Sequence, residues 1–351
     1  MSFIERRGFY RSLFFLLLLG LLMLMIFAST LGAAEISFID ALLILMRKLP
    51  VAGELIQEEG LKTHEVIMLN IRLPRVILSA VIGMGLSVVG AAFQGMFKNP
   101  MADPYVIGVS SGAALGASIA ITIGGVFIAG PFPSVQLMAF LGAILTVVCV
   151  YEIAKVGTKI PAVTLLLAGV AVSAMASAMI SILMIFNRDQ ADSIIFWTMG
   201  SVAAARWGQI LYLLPIVGMG TLIILFYARD LNLMMAGDDT AHNLGVDIEK
   251  TKKVLLVVSS LMIAFIVSSS GIIGFVGLIV PHAVRLILGP DHRVLIPFSA
   301  IGGAVFMITS DTLARTALAP MEIPVGAVTA LFGAPYFIYL LRRTKLRGIS
   351  L

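Results

Sequence analysis

The chain has 351 residues, 60% of them hydrophobic and 12% charged, with a formal net charge of +5. Soluble domains carry about 25% charged residues, so this composition excludes both a water-soluble globule and a disordered chain. One cysteine, Cys149, excludes a disulfide scaffold. The basic residues are scattered between apolar runs, without a stripe or interleaved aromatics, which argues against a nucleic-acid partner.

A membrane-crossing helix needs roughly 20 apolar residues. Charge-free runs occupy 12–34, 76–97, 104–151, 160–187, 207–228, 254–284, 294–310 and 323–341. The run 104–151 is divided by Gly124, Gly125, Gly130, Pro131 and Pro133. The run 254–284 breaks near Ser268, Ser269, Ser270 and Gly271 and resumes to about Leu288. The reading is an all-α polytopic membrane protein, a single transmembrane domain over 1–351 with ten helices. Continuous apolar runs, not ten-residue alternation, speak against a strand barrel.

An even count places both termini on one side. Arg6, Arg7 and Arg11 open the chain, and Arg342, Arg343, Lys345 and Arg347 close it. With both ends in the cytoplasm, 16 of the 24 Lys and Arg lie inside, as the positive-inside rule requires. A cleaved leader ending near Gly32 and Ala34 is the alternative for the first run, but that run is long for a leader's apolar core. Residues 35–71 then form an external amphipathic loop, 187–206 a second external loop with Trp197, and 229–253 a cytoplasmic loop. Small residues such as Gly83, Gly90, Gly112 and Gly116 fit close helix packing.

Catalytic signatures are missing. The sequence has no GxxxxGK[ST] phosphate loop, no HExxH, no CxxC and no GxSxG. Only His282, beside Pro281, lies near a span, and one histidine does not make a metal site. Ion-coupled carriers place ionisable residues at mid-membrane, and these spans hold almost none. Asp311 is the nearest candidate, with Arg315 four residues later in the order that favours a helical ion pair. The chain therefore reads as a permease whose energy comes from elsewhere. An ion-gradient-driven secondary transporter is the alternative, and an intramembrane enzyme a more distant one.

Several motifs carry a resemblance. They are Arg72-Leu73-Pro74-Arg75; Gln94; Asn99-Pro100-Met101-Ala102-Asp103-Pro104; and Gly108-Val109-Ser110-Ser111-Gly112-Ala113. Later come Gly274-Phe275-Val276-Gly277-Leu278-Ile279-Val280-Pro281-His282 with Arg285, then Asp291-His292-Arg293. Asp311 with Ala314-Arg315, and Glu322-Ile323-Pro324-Val325-Gly326, complete the set. In this order the chain resembles the FecCD, or type II, ABC importer permeases for ferric siderophores, haem and cobalamin. Met101 and Ser310 are small departures, standing where leucine and alanine are common.

The resemblance implies a ten-helix subunit of the prokaryotic inner membrane with no cofactor of its own. It implies a homodimer or a pair with a paralogous permease, a pore on the two-fold axis, two ATP-binding subunits below and a substrate-binding protein above. It puts Arg72, Arg75 and Arg315 at the docking surface for that binding protein. It puts Asn99, Pro100 and Met101 near a cytoplasmic gate, where proline-broken backbone suits a water-lined path. It makes Gly237, Asp238, Asp239, Ala241, Leu244 and Gly245 the coupling helix that meets the ATPase. There the aspartates suit a helix start, Gly245 its end, and Ala241 with Leu244 an apolar knob. Gly271, Gly274 and Gly277, spaced by three before Pro281, predict one small-residue face of a kinked helix.

Overall fold

In a computed structural model the described residues are 7–32, 34, 36–47, 62–124, 128–129, 132–157 and 159–346. Arg6, Arg347 and residues 35 and 48–61 of the first external loop lie outside them. The elements are almost all helical. In order they are α1 (Arg7–Thr30), α2 (Phe38–Arg47), α3 (Lys62–Ile67), α4 (Leu73–Met96), α5 (Val109–Ile123), α6 (Ser134–Ala154), α7 (Ala162–Phe186) and α8 (Arg188–Thr198). There follow α9 (Trp207–Phe226), α10 (Ala228–Met235), α11 (Asp238–Asn243), α12 (Ile248–Ser270), α13 (Val276–Leu288), α14 (His292–Thr316) and α15 (Val325–Leu346). A hairpin of two-residue strands, β1 (Ile128–Ala129) and β2 (Phe132–Pro133), lies within the glycine- and proline-rich segment predicted to turn.

Among the described residues seven helical stretches are long and apolar enough to cross a bilayer, and three shorter apolar helices accompany them: α5, α13 and Val325–Tyr339 of α15. The protein is an all-α polytopic membrane protein. The second span starts earlier than its charge-free run. α3 passes through a π-helical turn at Met68–Arg72 into α4, giving one helix over Thr63–Met96. Part of the segment predicted as a surface loop thus belongs to a spanning helix.

α4 is the axis of the bundle. It packs on α14, α13, α12 and α9 and is buried along nearly its whole length. α6, α7 and α9 sit outside and turn apolar side chains outward: Leu145 is 65% exposed and Leu211 75%. That inside-out distribution is expected where the solvent is lipid. Glycines set the closest crossings. A Cβ on Gly90 of α4 would strike the carbonyl of Gly277 in α13, and one on Gly83 the carbonyl of Gly303 in α14. α5 meets α6 the same way through Gly112, Gly116 and Gly142. With no hydrophobic drive between helices in lipid, such backbone contact supplies van der Waals packing.

The break predicted after Ser270 is real, but Gly271, Gly274 and Gly277 do not share a helix face. Residues 271–275 are not helical, Gly271 has φ +70° and Phe275 φ +69°, and only Gly277 lies in α13. Gly271 sits against the Trp197 carbonyl, where no side chain fits, whereas Gly274 has open space around it. Pro281, in the second turn of α13, has no N–H to give the Gly277 carbonyl, the oxygen that faces Gly90.

Candidate functional site

The end of the bundle bearing Lys98 carries the predicted coupling loop. α10 and α11 are joined at Gly237 (φ +129°), and the chain leaves α11 through Gly245 (φ +86°). Both angles are ones that side chains rarely adopt, so these glycines are needed for the turns. Ala241 is fully buried with Met234 and Val246 in a small cluster of their own. The expected apolar knob is corrected accordingly: Ala241 roots the helix, and Leu244 alone, 56% exposed, faces outward. Asp238 accepts from Lys98 Nζ at 2.6 Å and lies 3.6 Å from Lys252. The Lys98 hydrogen bond, helped by the Lys252 charge, holds the Asp238 carboxyl below its ordinary range. Asp239 is exposed. The loop is thus fastened to the turn after α4 and to the first turns of α12.

That turn holds the predicted gate residues. Asn99 Oδ1 accepts from the Met101 N–H at 2.8 Å, and Asp103 Oδ1 from the Tyr105 N–H at 2.8 Å. These side-chain bonds replace the helical bonds that Pro100 and Pro104 cannot join. The Tyr105 hydroxyl then donates to the Ile273 carbonyl at 3.0 Å, and Pro104 abuts Gly277. Gln94 Nε2 donates to the Leu278 carbonyl at 3.1 Å. The two irregular segments, 97–108 and 271–275, are therefore joined to one another. The motif drew attention to Asn99-Pro100-Met101; the tyrosine that makes the bond was missed, since nothing in its spacing points to residue 273.

The opposite end gathers the three arginines. Arg72 donates to the carbonyls of Ser29 at 3.2 Å, Thr30 at 2.8 Å and Ala34. Arg315 donates to Leu31 at 3.0 Å and to Ala28. Together they close the C-terminus of α1, whose last carbonyls have no helical donors. Arg75 is bidentate on Asp311, Nη2 donating to Oδ1 at 2.9 Å and Nε to Oδ2 at 3.1 Å, and also reaches Glu322 at 2.9 Å. Two expectations are corrected here. Asp311 pairs with Arg75, not with Arg315, because α4 packs closely on α14 and brings Arg75 to it, while the Arg315 guanidinium is engaged by the carbonyls at the end of α1. Arg72, Arg75 and Arg315 are only 5%, 7% and 7% exposed, so they are structural ties, not an exposed docking patch. Glu322, which no spacing rule singled out, completes the cluster.

His282 is partly buried with Nδ1 unpartnered. Among the described residues no group of three or more His, Cys, Asp or Glu could hold a metal ion.

Comparison with known proteins gives a consistent picture. Residues 17–343 match the model of the FecCD transport family. The chain is 48% identical over 288 residues to the cobalamin import system permease protein BtuC of Halobacterium salinarum, covering 82% of this chain and 76% of that one. It is 41% identical over 288 residues to the hemin transport system permease protein HmuU of Yersinia pestis, covering 80% and 84%. Among solved structures, a metal-chelate type ABC transporter in an inward-facing conformation superposes with a TM-score of 0.79 at 28% identity, covering 95% of this chain and 99% of that one.

Proposed function

The chain belongs to the FecCD transport family, and on that premise we propose that it is the permease subunit of an ATP-driven importer for a bulky metal chelate of the cobalamin, haem or ferric-siderophore class. The observation that carries this reading is the match, over 80% or more of this chain, to permeases named for cobalamin and hemin import. The alternative, an ion-gradient carrier, has no support from the relatives named above, and among the described residues of the spans the one deeply buried carboxylate, Asp311, is committed to Arg75.

In this proposal 1–351 is one transmembrane domain of ten spans, the seven long helices and the three shorter ones, with both termini in the cytoplasm of a prokaryotic cell. Two such chains, or one with a paralogue, enclose the pore. Two separate ATPase subunits sit on the α10–α11 loop, within the 229–253 segment, where Leu244 is the protruding contact and Gly237 and Gly245 hold the turns. The link from that loop through Lys98 to Asn99-Pro100-Met101, and on through Tyr105 to Ile273, suits a gate worked from below. The binding protein docks on the outer rim, whose shape the Arg72, Arg75 and Arg315 ties maintain. The permease itself needs no cofactor and performs no hydrolysis.

The test is uptake of labelled cobalamin or haem into proteoliposomes holding the permease, its ATPase and its binding protein. Uptake should require internal ATP and ignore imposed proton or sodium gradients. Gradient-driven uptake without nucleotide would overturn the reading.

A further inference from the structure

We propose that a groove between α1, α9 and α14 holds one anionic phospholipid at the end of the bundle that bears Lys98, opposite the Arg72, Arg75 and Arg315 cluster. Two cavities adjoin there, of about 560 and 610 Å³, and share Tyr10, Arg293 and Val294 as walls. The first is lined by Arg285, Asp291 and Asn232. The second runs up between Arg7 and Arg11 and an apolar wall of Phe14, Phe15, Pro297 and Phe298.

The charges do not balance within the chain. Asp291, the carboxylate lining the groove, is held by Arg293 at 2.7 Å and by Asn232 at 2.7 Å. Arg293 is thereby neutralised. Among the described residues no carboxylate pairs with Arg7, Arg11 or Arg285. The Arg285 Nε and Nη2 atoms find no acceptor at all, and unsatisfied buried donors are costly. Arg285 in one cavity and Arg7 and Arg11 in the adjoining one, three guanidinium groups in all, call for an anion.

The wall above them decides which anion. α1 is the least buried of the spanning helices, and Phe15 is 67% exposed beside the groove. The groove therefore opens on the lipid-facing surface, and its aromatic wall would be wasted on a free phosphate or an acidic peptide. A phospholipid fills both parts, its headgroup phosphate on Arg7, Arg11 and Arg285 and an acyl chain along the phenylalanines. Basic pockets between spanning helices bind such headgroups, and the leaflet facing the cytoplasm is rich in them. The leaflet assignment rests on the orientation proposed above; retention of the lipid in detergent does not, so the two fail separately.

Native mass spectrometry of the full-length permease in mild detergent tests this. Phosphatidylglycerol should remain bound at one per chain, and phosphatidylcholine should not. The exposed Arg7→Gln and Arg11→Gln substitutions, which threaten no folding contact, should weaken retention about fivefold each. Arg285→Gln should weaken it further, read on protein with an unchanged melting curve. Equal retention of phosphatidylcholine, unchanged retention in the Arg7→Gln/Arg11→Gln variant, or displacement of the lipid by equimolar inorganic phosphate would each overturn the proposal.

Discussion

Replacing Asp311 with Asn removes the negative end of a buried ion pair, a carboxylate that is 1% exposed and accepts three hydrogen-bonding contacts from Arg75. Asn has nearly the same shape, so the damage is electrostatic: a buried guanidinium loses its main counter-ion. Breaking a buried pair from one side costs about 3–5 kcal/mol. Glu322 is the internal control. Its side chain is 45% exposed, so water replaces much of what Glu322→Gln gives up, and the cost is about 1 kcal/mol or less. A double substitution, Arg75→Met with Asp311→Leu, removes both buried charges together and should recover about half or more of the Asp311→Asn loss. The remainder reflects Arg315, whose charge Asp311 also faces. Equilibrium unfolding of the detergent-solubilised chain in rising SDS, followed by helical circular dichroism, gives all three values. A Glu322→Gln loss as large as that of Asp311→Asn, or no recovery in the double variant, would refute the assignment of the cluster as a structural tie.

Gly90→Val places methyl groups where the Gly277 carbonyl lies, and it should abolish accumulation of folded protein; Gly274→Ala, with open space around it, should leave the yield unchanged by fluorescence-detected size exclusion. Leu244→Asp should weaken co-purification of the ATPase about tenfold, the scale of an apolar contact residue lost, with an unchanged melting temperature. The Asp238 carboxyl is held below 3.8 in the folded chain, so the stability it lends is complete above that value and disappears as pH falls through the lowered one. Amide exchange across 238–246 should therefore be flat, after correction for intrinsic rates, from about pH 8 to about pH 5. Lys98→Met should quicken it throughout that range by a modest factor, since exposed pairs contribute about 0.2–1 kcal/mol.

The sequence displayed the spans and their punctuation because lipid enforces both. Long apolar runs have few other uses, and Gly271 and the cluster from Gly124 to Pro133 mark real interruptions. The reach of α3 into the second span was hidden by Lys62, His64 and Glu65, polar residues that a helix end near the headgroups tolerates. At the candidate site, Gly237 and Gly245 were readable because a positive φ leaves a residue-type signature. Ala241 was misread because its burial depends on Met234 and Val246, which lie outside its own short helix and reach it only through the turns at Gly237 and Gly245. Asp311 was given the wrong partner for a similar reason: the i, i+4 rule sees one helix, while Arg75 comes from another, 236 residues away.

Where α4 crosses α13 and α14, oxygen atoms of one main chain rest against α-carbons of another, with no side chain between them. Side chains can change rotamer to let helices slip; bare backbone cannot. α4 is locked this way on two sides at different heights, at Gly83 and at Gly90, so small sliding steps past its neighbours are sterically closed to it. Movement during a transport cycle must then carry α4, α13 and α14 as one block, with displacement concentrated at short linkers such as Gly237 and Gly245.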